Sequence, residues 1–207
     1  CSSFIDIAIN SQYINSNIQF SAQNVYFEDK GAFTGEISCR MLKDIGCNWV
    51  LIGHSERRTI FLESFNIINK KLSRAINEGL NPILCIGESL IEQENNQTNT
   101  VLSSQLLSAF ENIQNRDINK IVIAYEPVWA IGTGKTATVE TVEKNHALIR
   151  SILTDKGYQG NDISILYGGS VNAENASELA NIKDVDGFLI GGASLDLESF
   201  KLIYNQL

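Results

Sequence analysis

Apolar positions in this chain follow two alternating periods. Short strand-like runs recur at 18–23, 49–52, 82–86, 121–124, 163–167 and 187–190, the run at 121–124 being rich in β-branched residues. They predict six buried strands. Between them the spacing changes to i, i+3, i+4. Phe65, Ile68, Leu72, Ala75 and Ile76 form one stripe, and Leu102, Leu106, Phe110 and Ile113 a second. Val139, Val142, His146, Ile149 and Leu153 give a third, and Phe200, Ile203, Tyr204 and Leu207 a fourth. Each stripe predicts an amphipathic helix. Gly79 and Pro82 predict the end of the first, and 6–15 reads as a further helix. Strands alternating with helices in this way predict an α/β domain, a parallel sheet with helices outside it.

Polar residues collect where the strands end. Gln23-Asn24, Gly53-His54-Ser55-Glu56, Gly87-Glu88, Glu126, Gly168-Gly169-Ser170 and Gly191-Gly192 each follow an apolar run. Periodicity alone is compatible with an open doubly wound sheet or a closed barrel. In a barrel all such ends meet at one mouth, whereas in an open sheet only the switch point forms a crevice. Six decorated ends favour the barrel. A length of 207 residues with 43% hydrophobic content suits one domain spanning 1–207.

Composition narrows the partners. A net charge of −8 argues against nucleic acid or an anionic membrane. No apolar run approaches the length of a membrane span. The four cysteines form no C-x-x-C pair and there are two histidines, so no metal site is expected. A soluble protein of a reducing cytoplasm fits these features. Position 1 is Cys and the sole methionine is Met41, so the chain is expected to be part of a longer translation product.

Candidate chemistry centres on 124–135. Glu126 stands at a strand tip, and Pro127 cannot continue a central ladder. Trp129 and Ile131 follow in a glycine-containing segment that suits a lid able to exclude water. The run Gly132-Thr133-Gly134-Lys135-Thr136 is not a nucleotide-binding P-loop, because the required first glycine falls on Trp129. His54 ends another strand and precedes a helix start at Ser55-Glu56-Arg57-Arg58. The positive end of that helix is expected to keep the imidazole neutral. Arg57 and Arg58 are expected to form ion pairs that fix the loops, and His146, inside a helical stripe, to be a packed core residue. The turns at Gly168-Gly169 and Gly191-Gly192 each precede a helical segment and could hold an anion through backbone amides.

Taken together, these segments resemble the triosephosphate isomerase family. The resemblance rests on Ala22-Gln23-Asn24, Gly31-Ala32-Phe33-Thr34-Gly35-Glu36, Gly53-His54-Ser55-Glu56-Arg57-Arg58, Cys85-Ile86-Gly87-Glu88, Ala124 to Lys135, Tyr167-Gly168-Gly169-Ser170-Val171 and Gly187 to Leu195. It implies a (β/α)8 TIM barrel, incomplete at the N-terminus with about six strands retained. It also implies cofactor-free interconversion of dihydroxyacetone phosphate and glyceraldehyde 3-phosphate in glycolysis and gluconeogenesis. On matching positions Glu126 is the base that moves the proton, and His54 polarises the carbonyl. This family is itself the standard example of a glutamate base beside a neutral histidine. Gly132, Ser170, Gly191 and Gly192 match the positions that grip phosphate. Glu56 and Cys85 match positions next to the catalytic groups. Thr34 matches the residue that braces a partner's site in a homodimer.

The family's first strand, first helix and most of its second strand have no counterpart here, nor do an asparagine and a lysine of its substrate site. Ser2-Ser3 stands where two prolines are usual. The resemblance therefore leaves three expectations. One is a shortened form of a complete isomerase. The second is a catalytically crippled fragment acting as a binding or complementation module, and the third another phosphate-binding barrel isomerase.

Overall fold

The computed structural model describes residues 1–13, 18–131 and 136–206. Gly132, the rest of the expected lid at 133–135, the expected helix end at 14–15 and Leu207 lie outside the described residues. The chain divides into two compact units, Cys1–Cys85 with Leu107–Val122, and Ile86–Leu106 with Ile123–Leu207.

The first unit is built on three parallel strands, β1 Ser21–Ala22, β2 Trp49–Ile52 and β3 Asn81–Ile86. Val50 pairs with Ala22 on one side and with Pro82 on the other. Val50, Ile52, Leu84 and Cys85 are buried, as expected for a sheet covered on both faces. The strand predicted at 18–23 is shorter than its apolar pattern suggested. Ile18 is 63% exposed, and among the described residues the outer side of β1 pairs through a bridge from Ser2 to Ala22.

Helix Phe65–Asn77 follows its stripe, burying Ile68, Leu72, Ala75 and Ile76. Ser64 caps it by accepting the Ile67 amide, and Gly79 ends it with φ +74°. The helix predicted at 6–15 runs from Phe4 to Asn10, followed by a 3-10 turn at Ser11–Tyr13. It starts two residues early because Ser3 caps it through the Asp6 amide.

The second unit holds β4 Val122–Tyr125, β5 Ile165–Tyr167 and β6 Gly187–Phe188, again parallel. β4 ends one residue later than the apolar run, directly before Glu126. Leu189 donates its amide to the Tyr167 carbonyl, so the ladder continues past β6. Helix Val139–Asp155, capped by Thr138, buries Val142, Asn145, His146, Ile149, Ile152 and Leu153. From its outer part Arg150 donates to the carbonyls of Gly160 and Ile163 and pairs with Asp186 at 3.0 Å. Asp186 in turn accepts the Ile165 amide, which fixes where β5 starts.

His146 is the packed residue its spacing predicts. It is fully buried, shares a hydrogen bond with the Asp184 carbonyl and meets the edge of Tyr125. Burial lowers its pKa to about 4 from 6.5. Between those values the unfolded chain takes up a proton that the folded chain refuses, so stability falls as pH drops through this window. A shift of this size corresponds to on the order of 3 kcal/mol. Glu88, whose pKa is raised chiefly by burial, has the opposite sign: its contribution is present at low pH and lost as pH rises above 4.5. His146→Gln should therefore flatten the fall in Tm between pH 7 and 5. An unchanged slope would show that this residue does not carry the acid sensitivity.

Candidate active site

In the first unit, the ends of β1 and β2 share a cavity of about 300 Å³ whose polar lining is Gln23, Asn24, His54, Glu56 and Arg57. His54 is the N-cap of helix Ser55–Thr59, and its Nδ1 accepts the Glu56 amide at 3.4 Å. The same Nδ1 stands 3.8 Å from the Glu56 carboxylate, which would suit a charged ring. The amide is nearer and is a permanent donor, whereas the Glu56 side chain is 67% exposed. The geometry favours the tautomer with its proton on Nε2.

Arg57 forms the expected ion pair, with Glu63 at 2.6 Å, whereas Arg58 braces the turn through main-chain carbonyls. Arg58 donates to the carbonyls of Gly53 at 2.6 Å and Cys85 at 2.7 Å. Gly53 has φ +72°, and a side chain there would press on the Arg58 guanidinium. Cys85 is fully buried at the end of β3. Thr34 sits in an exposed loop, where Phe33 packs against Tyr26 at 4.9 Å.

In the second unit Glu126 follows β4 and is 2% exposed. Its amide donates to the Ile86 carbonyl at 2.7 Å, and the next ladder bond runs from Gly168 to Tyr125. Two glycines make room for it. A Cβ on Gly168 would lie 3.0 Å from the Glu126 Cγ, and one on Gly87 would fall onto the Glu126 carbonyl. The chain then forms a 3-10 turn, Val128–Ala130. Trp129 donates its indole N–H to Glu88 at 3.0 Å, and Ser170 donates to the Ala130 carbonyl at 2.8 Å. The structure thus joins Glu126, the start of the expected lid and the Ser170 turn.

Gly191 and Gly192 differ from the packed glycines. Among the described residues other than their chain neighbours, nothing lies within 4 Å of where a Cβ would stand on either, so contacts among those residues do not demand glycine there. Space kept beside bare backbone suits a ligand brought close to the main chain.

Sequence reasoning gave no role to Glu88, which anchors the turn after Glu126. Glu88 is fully buried and also accepts the Tyr125 hydroxyl at 3.1 Å, and Asn145 donates to that hydroxyl at 2.6 Å. A glutamate directly after a buried strand was the available signal, legible as a polar strand end but not as the partner of Trp129.

Parallel strands that carry acid, base and glycine turns on their C-terminal ends are the mark of α/β-barrel enzymes. Comparison with known proteins identifies the group. The family model for triosephosphate isomerase matches residues 1–207. A triosephosphate isomerase of Alkaliphilus oremlandii is 51% identical over 201 residues, covering 95% of this chain and 80% of the relative. That of Lawsonia intracellularis is 51% identical over 196 residues, 94% of this chain and 78% of the relative. That of Finegoldia magna is 48% identical over 195 residues, with 92% and 77% covered. The chain belongs to the triosephosphate isomerase family, and the barrel expectation for its six parallel strands is the correct one. No helix among the described residues is long and apolar enough to cross a membrane.

Proposed function

We propose that this chain acts as a triosephosphate isomerase, with Glu126 as the base and His54 as the electrophile. The reading is supported by the family match over residues 1–207, together with a buried carboxylate at Glu126 and a helix-capping imidazole at His54, the two positions to which the resemblance assigns the chemistry. Glu126 takes a proton from the hydroxymethyl carbon of dihydroxyacetone phosphate. The C–H electron pair becomes the carbon–carbon double bond of an enediolate, and charge moves onto the carbonyl oxygen. His54 meets that charge with its Nε2–H, gives that proton to the former carbonyl oxygen and takes one back from the hydroxyl oxygen of the neighbouring carbon, so that the second carbonyl can form. Glu126 then returns the proton to the neighbouring carbon, giving glyceraldehyde 3-phosphate.

Backbone amides at Gly191 and Gly192, with Gly132 and Ser170, hold the phosphate. This use of dipoles is compatible with a chain of net charge −8, which carries few cations to spare. The segment from 127 onward closes over the intermediate, and Glu88 fixes its first turn through Trp129. Glu56 and Cys85 support the His54 segment. The exposed Thr34 loop makes a homodimer by reaching into a partner's site, and the protein works in the cytoplasm.

The test is a coupled assay with dihydroxyacetone phosphate, run beside proton exchange at carbon in deuterated water. Isomerisation together with exchange is the expected result. Binding of substrate with neither process would support the alternative of a binding module, and turnover of a different phosphorylated sugar alone would overturn the assignment.

A further inference from the structure

Lys71 is an unusual member of the first unit's core. It lies on the inward stripe of helix Phe65–Asn77 among Ile68, Leu72 and Ala75, with its side chain 2% exposed. Its ammonium donates to Asn24 Oδ1 at 2.7 Å and to Glu63 Oε1 at 2.5 Å. The same Glu63 oxygen accepts Arg57 Nε at 2.7 Å and pairs with Arg57 Nη2 at 2.6 Å. Glu63 is itself 5% exposed. The Arg57 guanidinium also lies over the Phe61 ring, 4.3 Å from its centre.

The turn between these residues is strained. Leu62 has φ 55°, a conformation L residues rarely hold, and the Glu63 amide closes the turn on the Arg57 carbonyl at 3.0 Å. Burial lowers the pKa of Lys71, opposed by the bond to Glu63. A buried ion pair seldom stabilises a fold more than an apolar pair of equal volume does. Its fixed bonds supply direction. Here they run from Asn24, in the cavity wall beyond β1, to Arg57 on the helix that His54 caps.

We propose that Lys71 and Glu63 are positioning residues for His54, holding its helix and imidazole against the Gln23–Asn24 wall of the cavity. The proposal rests on the isomerase reading. Two predictions separate it from a purely structural role. Lys71→Met, which leaves Glu63 paired with Arg57, should fold with a lowered Tm and lose at least about tenfold in kcat while KM changes by less than about threefold. The nitrogen resonances of the His54 imidazole should shift at the same time. The chain has 2 histidines, so His146 serves as the internal control.

Lys71→Arg, which keeps the charge, should recover most of the lost turnover. If Lys71→Met fails to fold, Asn24→Leu cuts the other end of the clamp and carries the same expectations. Parental kcat with unmoved His54 resonances in the folded variant would overturn the proposal, whatever the change in Tm. A parent chain without isomerase activity would instead defeat the isomerase reading. The clamp would then stand or fall on the imidazole resonances alone.

Discussion

Replacing Glu126 with glutamine is expected to lower kcat by about 10²–10⁴-fold, the range that a positioned general base supplies. The amide nearly matches the carboxylate in shape, and the site tolerates little else. Gly168 packs against the Glu126 Cγ, and the backbone of Glu126 is tied to the Ile86 carbonyl. Substrate affinity should therefore change little, because the proposed phosphate grip is made by other residues. The loss should fall on kcat and on kcat/KM together, the pattern of an interaction made in the transition state. Exchange of the carbon-bound proton with deuterated water should disappear as well. Exchange at the parental rate in Glu126→Gln would assign the base to another residue.

His54→Gln is expected to cost about 10²–10³-fold in kcat, the usual loss on removing one donor aimed at developing negative charge. Glutamine can still donate a hydrogen bond but cannot pass a proton between the two enediolate oxygens. Its amide also cannot reproduce the bond from the Glu56 amide to Nδ1, which orients the ring. The two variants should differ in their isotope pattern. With Glu126 intact, His54→Gln still opens the C–H bond slowly, so exchange should outrun isomerisation. If both processes slowed equally, the role of His54 in moving protons between oxygens would be wrong.

Much of this was legible in the chain because local rules and global packing agree. The stripe from Phe65 to Ile76 is the buried face of its helix, and Val122–Tyr125 ends where a buried carboxylate and a proline begin. His54 could be read as a cap from the strand before it and the polar helix start after it. Ser170 and Thr34 were recognisable only through family resemblance, since a serine after two glycines and a threonine in an exposed loop have no distinctive pattern.

The rest depended on tertiary contact. Asn24, Glu63 and Lys71 meet although Lys71 is 47 residues from Asn24, and no periodicity encodes that meeting. A lysine on an apolar stripe was the visible sign. The shortness of β1 was hidden for a similar reason, because apolar content at 18–20 does not reveal that Ile18 stays 63% exposed.

Gly87 constrains the routes by which this strand tip can change. With the Glu126 carbonyl where it is, every amino acid other than glycine at position 87 collides with main chain, which cannot rotate away as a side chain would. Single-step mutational paths through this position are closed. A descendant that acquired a new reactive group here would need a second, compensating backbone change beforehand, so chemistry at this tip is expected to drift far more slowly than the loops around it.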